Sequence, residues 1–265
     1  MIEHERGYMI VAFQNATDDY HACAALLAKS LKHWHPDISV CLLTNESCGD
    51  QIFDYEKVID VDTSNSNWLV EHDWQVFYHS PYRETVKLEA DMLLSGPIDH
   101  WWPLFRNNDV WISTGCRNYK NQTSTSRSYR QVFDKNLLSD VYNAITYWRF
   151  SRGAEQFFAT VKNIFSNWPI IQQSYKGCNE QVPNTDLAYA IALQLLDKQV
   201  YTTPGLGPQI VHMKKDINSC LCPDWRKELT WEIQQGVFRI NGHNQNGLVH
   251  YHFKDFAKTL ENTYD

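Results

Sequence analysis

Tyr8-Met-Ile-Val-Ala-Phe13 is a short apolar run rich in strand-forming residues that directly follows Gly7, which predicts a buried β-strand. A polar segment, Gln14 to Asp19, separates it from Tyr20, Ala24, Leu27 and Leu31, which recur at helical spacing with Thr17 or Asp18 available as an N-cap. Pro36 disfavours helical geometry at His35 and so places the helix end there. Ile38 to Leu43 is a second apolar run. Strand, helix and strand in close succession make a βαβ unit, which requires a parallel sheet.

Lys57 to Val61 predicts a third strand, followed by a polar loop from Asp62 to Asn67. Val86-Lys-Leu runs through Glu89-Ala-Asp91 into Met-Leu-Leu, a strand with acidic residues at its exit, and Asp109 to Ser113 predicts another. Ala154 to Trp168 and Asp186 to Leu196 have helical spacing, Arg117 to Lys135 reads as a polar, basic loop, and Gly247 to Lys258 alternates His with aromatics. No internal repeat or low-complexity linker divides the chain. The expectation is one α/β domain over residues 1–265, with a mostly parallel central sheet flanked by helices.

Composition narrows the function classes. With 43% hydrophobic residues in a chain of 265, apolar surface suffices to offset chain entropy, which excludes a disordered tail or a fibrous repeat. A net charge of -7 disfavours a protein that coats nucleic acid non-specifically. The seven cysteines include no pair with the two-residue gap of zinc knuckles or redox motifs, so reduced thiols are expected. With no signal-like N-terminus and no run of membrane-spanning length, a cytoplasmic protein is expected.

The chemistry concentrates in two places. Glu89 and Asp91 lie one residue apart at the end of a buried strand, where like charges are costly unless a cation sits between them; hard oxygen ligands suit Mg²⁺ or Mn²⁺. In His252-Phe-Lys-Asp-Phe-Ala-Lys258 an imidazole can complete a metal shell and a lysine can neutralise a phosphate. His250 competes with His252 as the nitrogen ligand, since the two alternate along an extended segment.

These segments resemble the GT-A glycosyltransferases, most closely glycosyltransferase family 8, the glycogenin and lipopolysaccharide galactosyltransferase group. Thr85-Val-Lys87-Leu-Glu89-Ala-Asp91 is similar to the family's Lys-x-x-hydrophobic-Asp-x-Asp segment, with glutamate for the first aspartate. Val141-Tyr-Asn143-Ala-Ile145 resembles the segment lining the sugar site, without its glycine. Pro183-Asn184-Thr-Asp186-Leu resembles the acceptor-side stretch, and His252 to Lys258 the C-terminal His-to-Lys motif, with Asp255 where glycine is usual. The matches keep the family's order across residues 8 to 258.

The resemblance implies a nucleotide-sugar donor, a uridine diphosphate sugar first, held with Mn²⁺ or Mg²⁺ by Glu89, Asp91 and His252. It assigns Ala12, Phe13 and Thr17 to the nucleoside, Lys258 to the diphosphate and Lys87 to the donor or to bracing the carboxylates. Asn143 and Asp186 become the catalytic candidates beside the donor sugar and incoming hydroxyl, although Asp186 also suits a helix N-cap. Residues up to about 115 would bind the nucleotide, and those from about 116 the sugar and acceptor.

Arg117, Lys120, Arg127, Arg130 and Lys135 stand against the single acid Asp134, with Tyr119 and Tyr129 interleaved. Such a mixture can follow a phosphate backbone, or can form a solvated loop or a lid. His100-Trp101-Trp102-Pro103 offers a stacking platform or ordinary packing. The chain also resembles small glycosyltransferases of T4-like bacteriophages. That implies transfer of glucose or arabinose to hydroxymethylcytosine or a related base in DNA, with Arg117, Lys120, Arg127 and Arg130 on the acceptor strand. The rivals are transfer to a glycan, lipid or protein hydroxyl, a nucleotidyltransferase, and a non-catalytic sugar or nucleotide binder.

Overall fold

The computed structural model describes residues 2–61, 66–124, 130–198, 201–202, 208–260 and 263–264. In chain order its strands are β1 (His4–Val11), β2 (Val40–Thr44), β3 (Tyr55–Val58), β4 (Tyr82–Glu89), β5 (Met92–Ser95), β6 (Val110–Thr114), β7 (Cys116–Arg117) and β8 (Thr123–Ser124). They continue with β9 (Val141–Arg149), β10 (Val211–His212), β11 (Trp231–Gln234), β12 (Val237–Ile240), β13 (His243–Asn244) and β14 (Gly247–His250).

The central sheet has the order β3-β2-β1-β4-β9-β6. β3, β2, β1 and β4 run parallel, and β9 is antiparallel to both β4 and β6. Period-two alternation divides β1 between two cores: Tyr8, Ile10 and Ala12 face one, Met9 and Phe13 the other. On the first face lies the Tyr20–Trp34 helix, which buries Cys23, Leu27 and Leu31. Its N-cap is Asp19, whose carboxylate accepts the Ala22 amide at 3.0 Å, rather than Thr17 or Asp18; the Thr17 hydroxyl is turned to Asn15 and Asp18. On the second face pack the Arg152–Ser166 helix, capped by Ser151, and the Thr185–Leu195 helix, capped by Asn184, with Phe157 edge-on to Tyr189.

The predicted strand around Glu89 is two strands. Ala90 and Asp91 form a turn, after which β5 leaves the central sheet for a second one ordered β5-β14-β10-β7-β8. That turn therefore sits at the seam between two sheets. A third sheet, β11-β12-β13, closes the C-terminal side.

The predicted basic loop is only partly irregular. It contains β7, β8 and a helical turn, Gln131–Lys135, while Arg127 and Tyr129 lie outside the described residues. Trp101 and Trp102 are buried against Phe105, so this pair packs the core, with an edge of Trp101 beside His100 in a surface cleft. All seven cysteines are free thiols. Among the described residues no helix is long and apolar enough to cross a membrane.

Candidate active site

β1 and β4 end in register, with Val11 opposite Glu89, so the polar loop after β1 and the Ala90-Asp91 turn after β4 meet at the carboxyl edge of the sheet. The Asp91 carbonyl accepts the Tyr251 amide at 3.1 Å, which locks the end of β14 beside the turn. His250 consequently spans both carboxylates, its Nε2 3.0 Å from Asp91 Oδ2 and its Nδ1 3.2 Å from Glu89 Oε2. Lys254 Nζ donates to Asp91 Oδ2 at 2.8 Å and to the His252 carbonyl at 3.0 Å. These groups line a cleft of about 310 Å³ with Phe13 and Tyr20 among its other walls.

The electrostatics divide the two acids. Burial would raise the Asp91 pKa, but the His250 imidazole and the Lys254 ammonium outweigh it and hold the carboxyl well below its usual range. Glu89 keeps 31% of its side chain open to the cleft yet is ringed by protein, and desolvation there raises its pKa against the pull of His250 and Lys87. Burial pushes His250 down, and Asp91 with Glu89 more than reverses this. His252 is held well below the ordinary histidine value by burial and by the neighbouring His250 charge.

The donor atoms of Glu89, Asp91 and His250 lie within 4.8 Å of one another. Two carboxylate oxygens and an imidazole nitrogen within this reach match the chemistry of a Mn²⁺ or Mg²⁺ site, to which His250 would donate as the neutral ring. The imidazole in contact with both acids is thus His250. His252 also lines the cleft, with φ of 69°, but its Nε2 lies 2.7 Å from Nδ1 of His212.

The remaining predicted residues are distributed unevenly. Phe13 and Lys87 line the cleft. Ala12 is buried at the end of β1, its amide donating to the Leu43 carbonyl at 2.9 Å, and Thr17 is exposed on the neighbouring rim. Lys87 Nζ is paired with Asp73 Oδ1 at 2.8 Å and donates to the Asn143 carbonyl at 3.3 Å. Lys258 is 65% exposed, 3.7 Å from Asp19, and does not line the cleft; Lys254 takes the position by the acids. Asn143 is fully buried, its amide side chain donating to Asp73 at 3.2 Å, and Asp186 accepts the Asn143 backbone N–H at 2.7 Å. Both brace β9 behind the cleft wall instead of facing into it, and Asn184 supplies the N-cap in place of Asp186.

Of the cations assigned to an acceptor strand, Arg130 is withdrawn from it. Its side chain is 5% exposed, with Asp140 at 3.1 Å, Asp186 at 3.2 Å and the Phe133 ring beneath it. Arg117 donates to Gln209 at 3.1 Å, and Lys120 is exposed over the Tyr119 ring.

The sequence alone gives little reason to single out Asp73, His212 or Lys254. Lys254 carries a faint signal, two residues after His252, whereas Asp73 and His212 stand in segments with no motif.

The same arrangement of elements occurs in solved structures. The galactosyltransferase LgtC, in complex with donor and acceptor sugar analogues, is similar at a TM-score of 0.50 with 12% identity, covering 93% of this chain and 87% of that one. An active-site mutant of LgtC is similar at a TM-score of 0.50 and 12% identity, covering 97% and 95%. The fold is that of the GT-A glycosyltransferases. No protein-family profile and no curated protein matches the chain.

Proposed function

We propose that the chain is a metal-dependent glycosyltransferase that moves a sugar from a nucleoside diphosphate donor, a uridine diphosphate sugar first, to a hydroxyl acceptor. The observation that carries this reading is the contact of His250 with both Glu89 and Asp91 at the floor of the cleft, at the sheet edge where open α/β folds bind ligands. A Mn²⁺ or Mg²⁺ ion would be held there by Glu89, Asp91 and His250, and when bound it supplies the charge that stabilises a departing diphosphate. Lys254 holds Asp91 in its ionised form and adds a positive charge at the same rim. Phe13 and Tyr20 provide aromatic walls for the nucleoside. Lys87 and Asp73 neutralise each other within the wall and keep the strand end rigid.

The leading acceptor is hydroxymethylcytosine or a related base in DNA, with glucose or arabinose as the sugar. Of the four cations assigned to it, Lys120 is exposed and Arg117 half-buried, while Arg130 has an internal role. The test is nucleotide release from uridine, guanosine and cytidine diphosphate sugars with Mn²⁺, alone and with hydroxymethylcytosine DNA, beside Asp91→Asn. Release from one donor that DNA accelerates and the variant loses supports the whole reading. Release indifferent to DNA moves the acceptor to a glycan, lipid or protein hydroxyl, and no release from any donor overturns the transferase.

A further inference from the structure

His212, His250 and His252 converge although they come from different parts of the chain. β10 and β14 are parallel neighbours with His212 directly opposite His250, both at their strand ends. Two residues later the left-handed backbone at His252 swings its imidazole back over this pair. The ring centroids are 3.9 Å apart for His250 and His252, which stack at 29°, 4.3 Å for His212 and His252, and 5.2 Å for His212 and His250, the last two tilted. The Tyr142 hydroxyl lies 2.8 Å from His212 Nδ1 and 3.0 Å from His250 Nδ1, steadying two of the three rings.

Three imidazoles are a poor way to fill a core. Each carries two polar ring nitrogens, and their partners here include the Tyr142 hydroxyl, the two carboxylates and one another, with His212 fully buried and His250 6% exposed. They are, however, the donor set that borderline cations prefer over Mg²⁺ or Mn²⁺. One ring nitrogen from each lies within 4.8 Å of the others. A tetrahedral zinc ion with bonds of about 2.0–2.1 Å needs these nitrogens roughly 3.3 Å apart. Binding would require the 2.7 Å contact between His252 and His212 to open slightly and the stacked His250 and His252 rings to turn toward a common point.

We propose that His212, His250 and His252 form a nitrogen-donor site for a zinc-class divalent cation, separate from the carboxylate site. Because His250 belongs to both donor sets, zinc on the three histidines and manganese on Glu89 and Asp91 exclude each other. Zinc is then an antagonist of the hard cation, because the neutral imidazole of His250 has a single nitrogen lone pair to give. The exclusion rests on the manganese reading of the carboxylate site; the zinc site itself does not.

The experiment titrates the metal-free protein with Zn²⁺, without donor or acceptor, for the unaltered chain and for His212→Asn. One zinc per chain is expected, with affinity at least about 10-fold weaker in the variant. Zinc-edge X-ray absorption on the unaltered chain needs no variant and is expected to show three imidazoles at about 2.0–2.1 Å. A shell with only one imidazole would place zinc on the carboxylates and overturn the site, as would equal affinity in a folded His212→Asn protein. In a second arm, Mn²⁺ paramagnetic resonance follows displacement. Zinc is expected to release bound manganese from the unaltered chain at one equivalent, and manganese that stays bound to the zinc-loaded chain refutes mutual exclusion. Failure of manganese to bind at all would strike the carboxylate site, leaving the zinc titration and absorption to judge the histidines.

Discussion

Lys87 and Asp73 form an ion pair at 2.8 Å with side chains only 2% and 7% exposed, in the wall of the cleft. The Asp73 carboxylate also accepts from Asn143 Nδ2 at 3.2 Å and from the Tyr189 hydroxyl, so one buried acid ties β4, β9 and the Thr185–Leu195 helix together. Removing the lysine alone strands that charge. Lys87→Met is expected to destabilise the protein by about 3–5 kcal/mol, because an uncompensated buried carboxylate loses its partner while keeping its desolvation cost. Lys87→Met with Asp73→Asn is expected to recover most of the loss. Urea unfolding of the four proteins of this cycle checks both statements, and additive losses would show that the pair is not coupled.

In the proposed metal site the nitrogen ligand is His250, the imidazole in contact with both acids. His250→Ala is expected to weaken Mn²⁺ binding by at least about 10-fold, as is Asp91→Asn, whereas His252→Ala stays within a few-fold of the unaltered chain. Titration calorimetry measures all three. A large loss in His252→Ala with none in His250→Ala would return the role to His252.

A pH effect on stability follows from His35 at the end of the first helix. Its Nε2 accepts the Ile98 amide at 3.1 Å while its Nδ1 faces Asp99 at 3.0 Å, an arrangement that suits the neutral ring. Burial holds its pKa below the ordinary value against the pull of Asp99. A base with a depressed folded pKa stabilises fully above its unfolded value of about 6.5, and that contribution is lost as the pH falls from there toward the folded value. The unaltered chain should therefore lose stability relative to His35→Asn as the pH drops below about 6.5. Denaturant midpoints across this range test it, and a difference independent of pH would contradict it.

Gly7 marks a place where strand packing leaves no room. A Cβ there would come within 2.3 Å of the Tyr82 ring on the paired strand β4. Gly7→Ala is expected to cost about 1–3 kcal/mol through overpacking, read as a lowered thermal midpoint.

Arg130 separates a structural cation from a surface one. Arg130→Gln is expected to destabilise by about 1–3 kcal/mol, since the buried guanidinium's bonds to Asp186 and the Val141 carbonyl are lost while the half-exposed Asp140 is left to water. Arg117→Ala with Lys120→Ala should leave the thermal midpoint nearly unchanged and weaken DNA binding in a salt-dependent manner. Unchanged DNA affinity would remove these two residues from the acceptor surface.

The βαβ start was legible in the sequence because the signals there are local. A strand-length apolar run, helical spacing from Tyr20 to Leu31 and Pro36 each act within a few residues, and the corresponding elements stand where their spacing placed them. Glu89 and Asp91 were legible for the same reason, since two acids beside a buried strand need compensation wherever the chain goes.

The partners of those acids were decided only by tertiary structure. Alternation along Gly247 to Lys258 leaves His250 and His252 equivalent. The register of β14 against β5 and the positive φ at His252 are what turn one ring onto the carboxylates and the other onto His212. Asp73 lies 14 residues before Lys87, in a segment with no motif, and becomes its counter-ion only when the Ser66–Gln75 helical turns fold over β4. Arg130 reads as a member of a basic run, yet its charge is consumed by Asp140 and Asp186. Local pattern sets backbone periodicity, whereas the pairing of buried charges depends on which distant strands become neighbours, and a single sequence does not carry that distance.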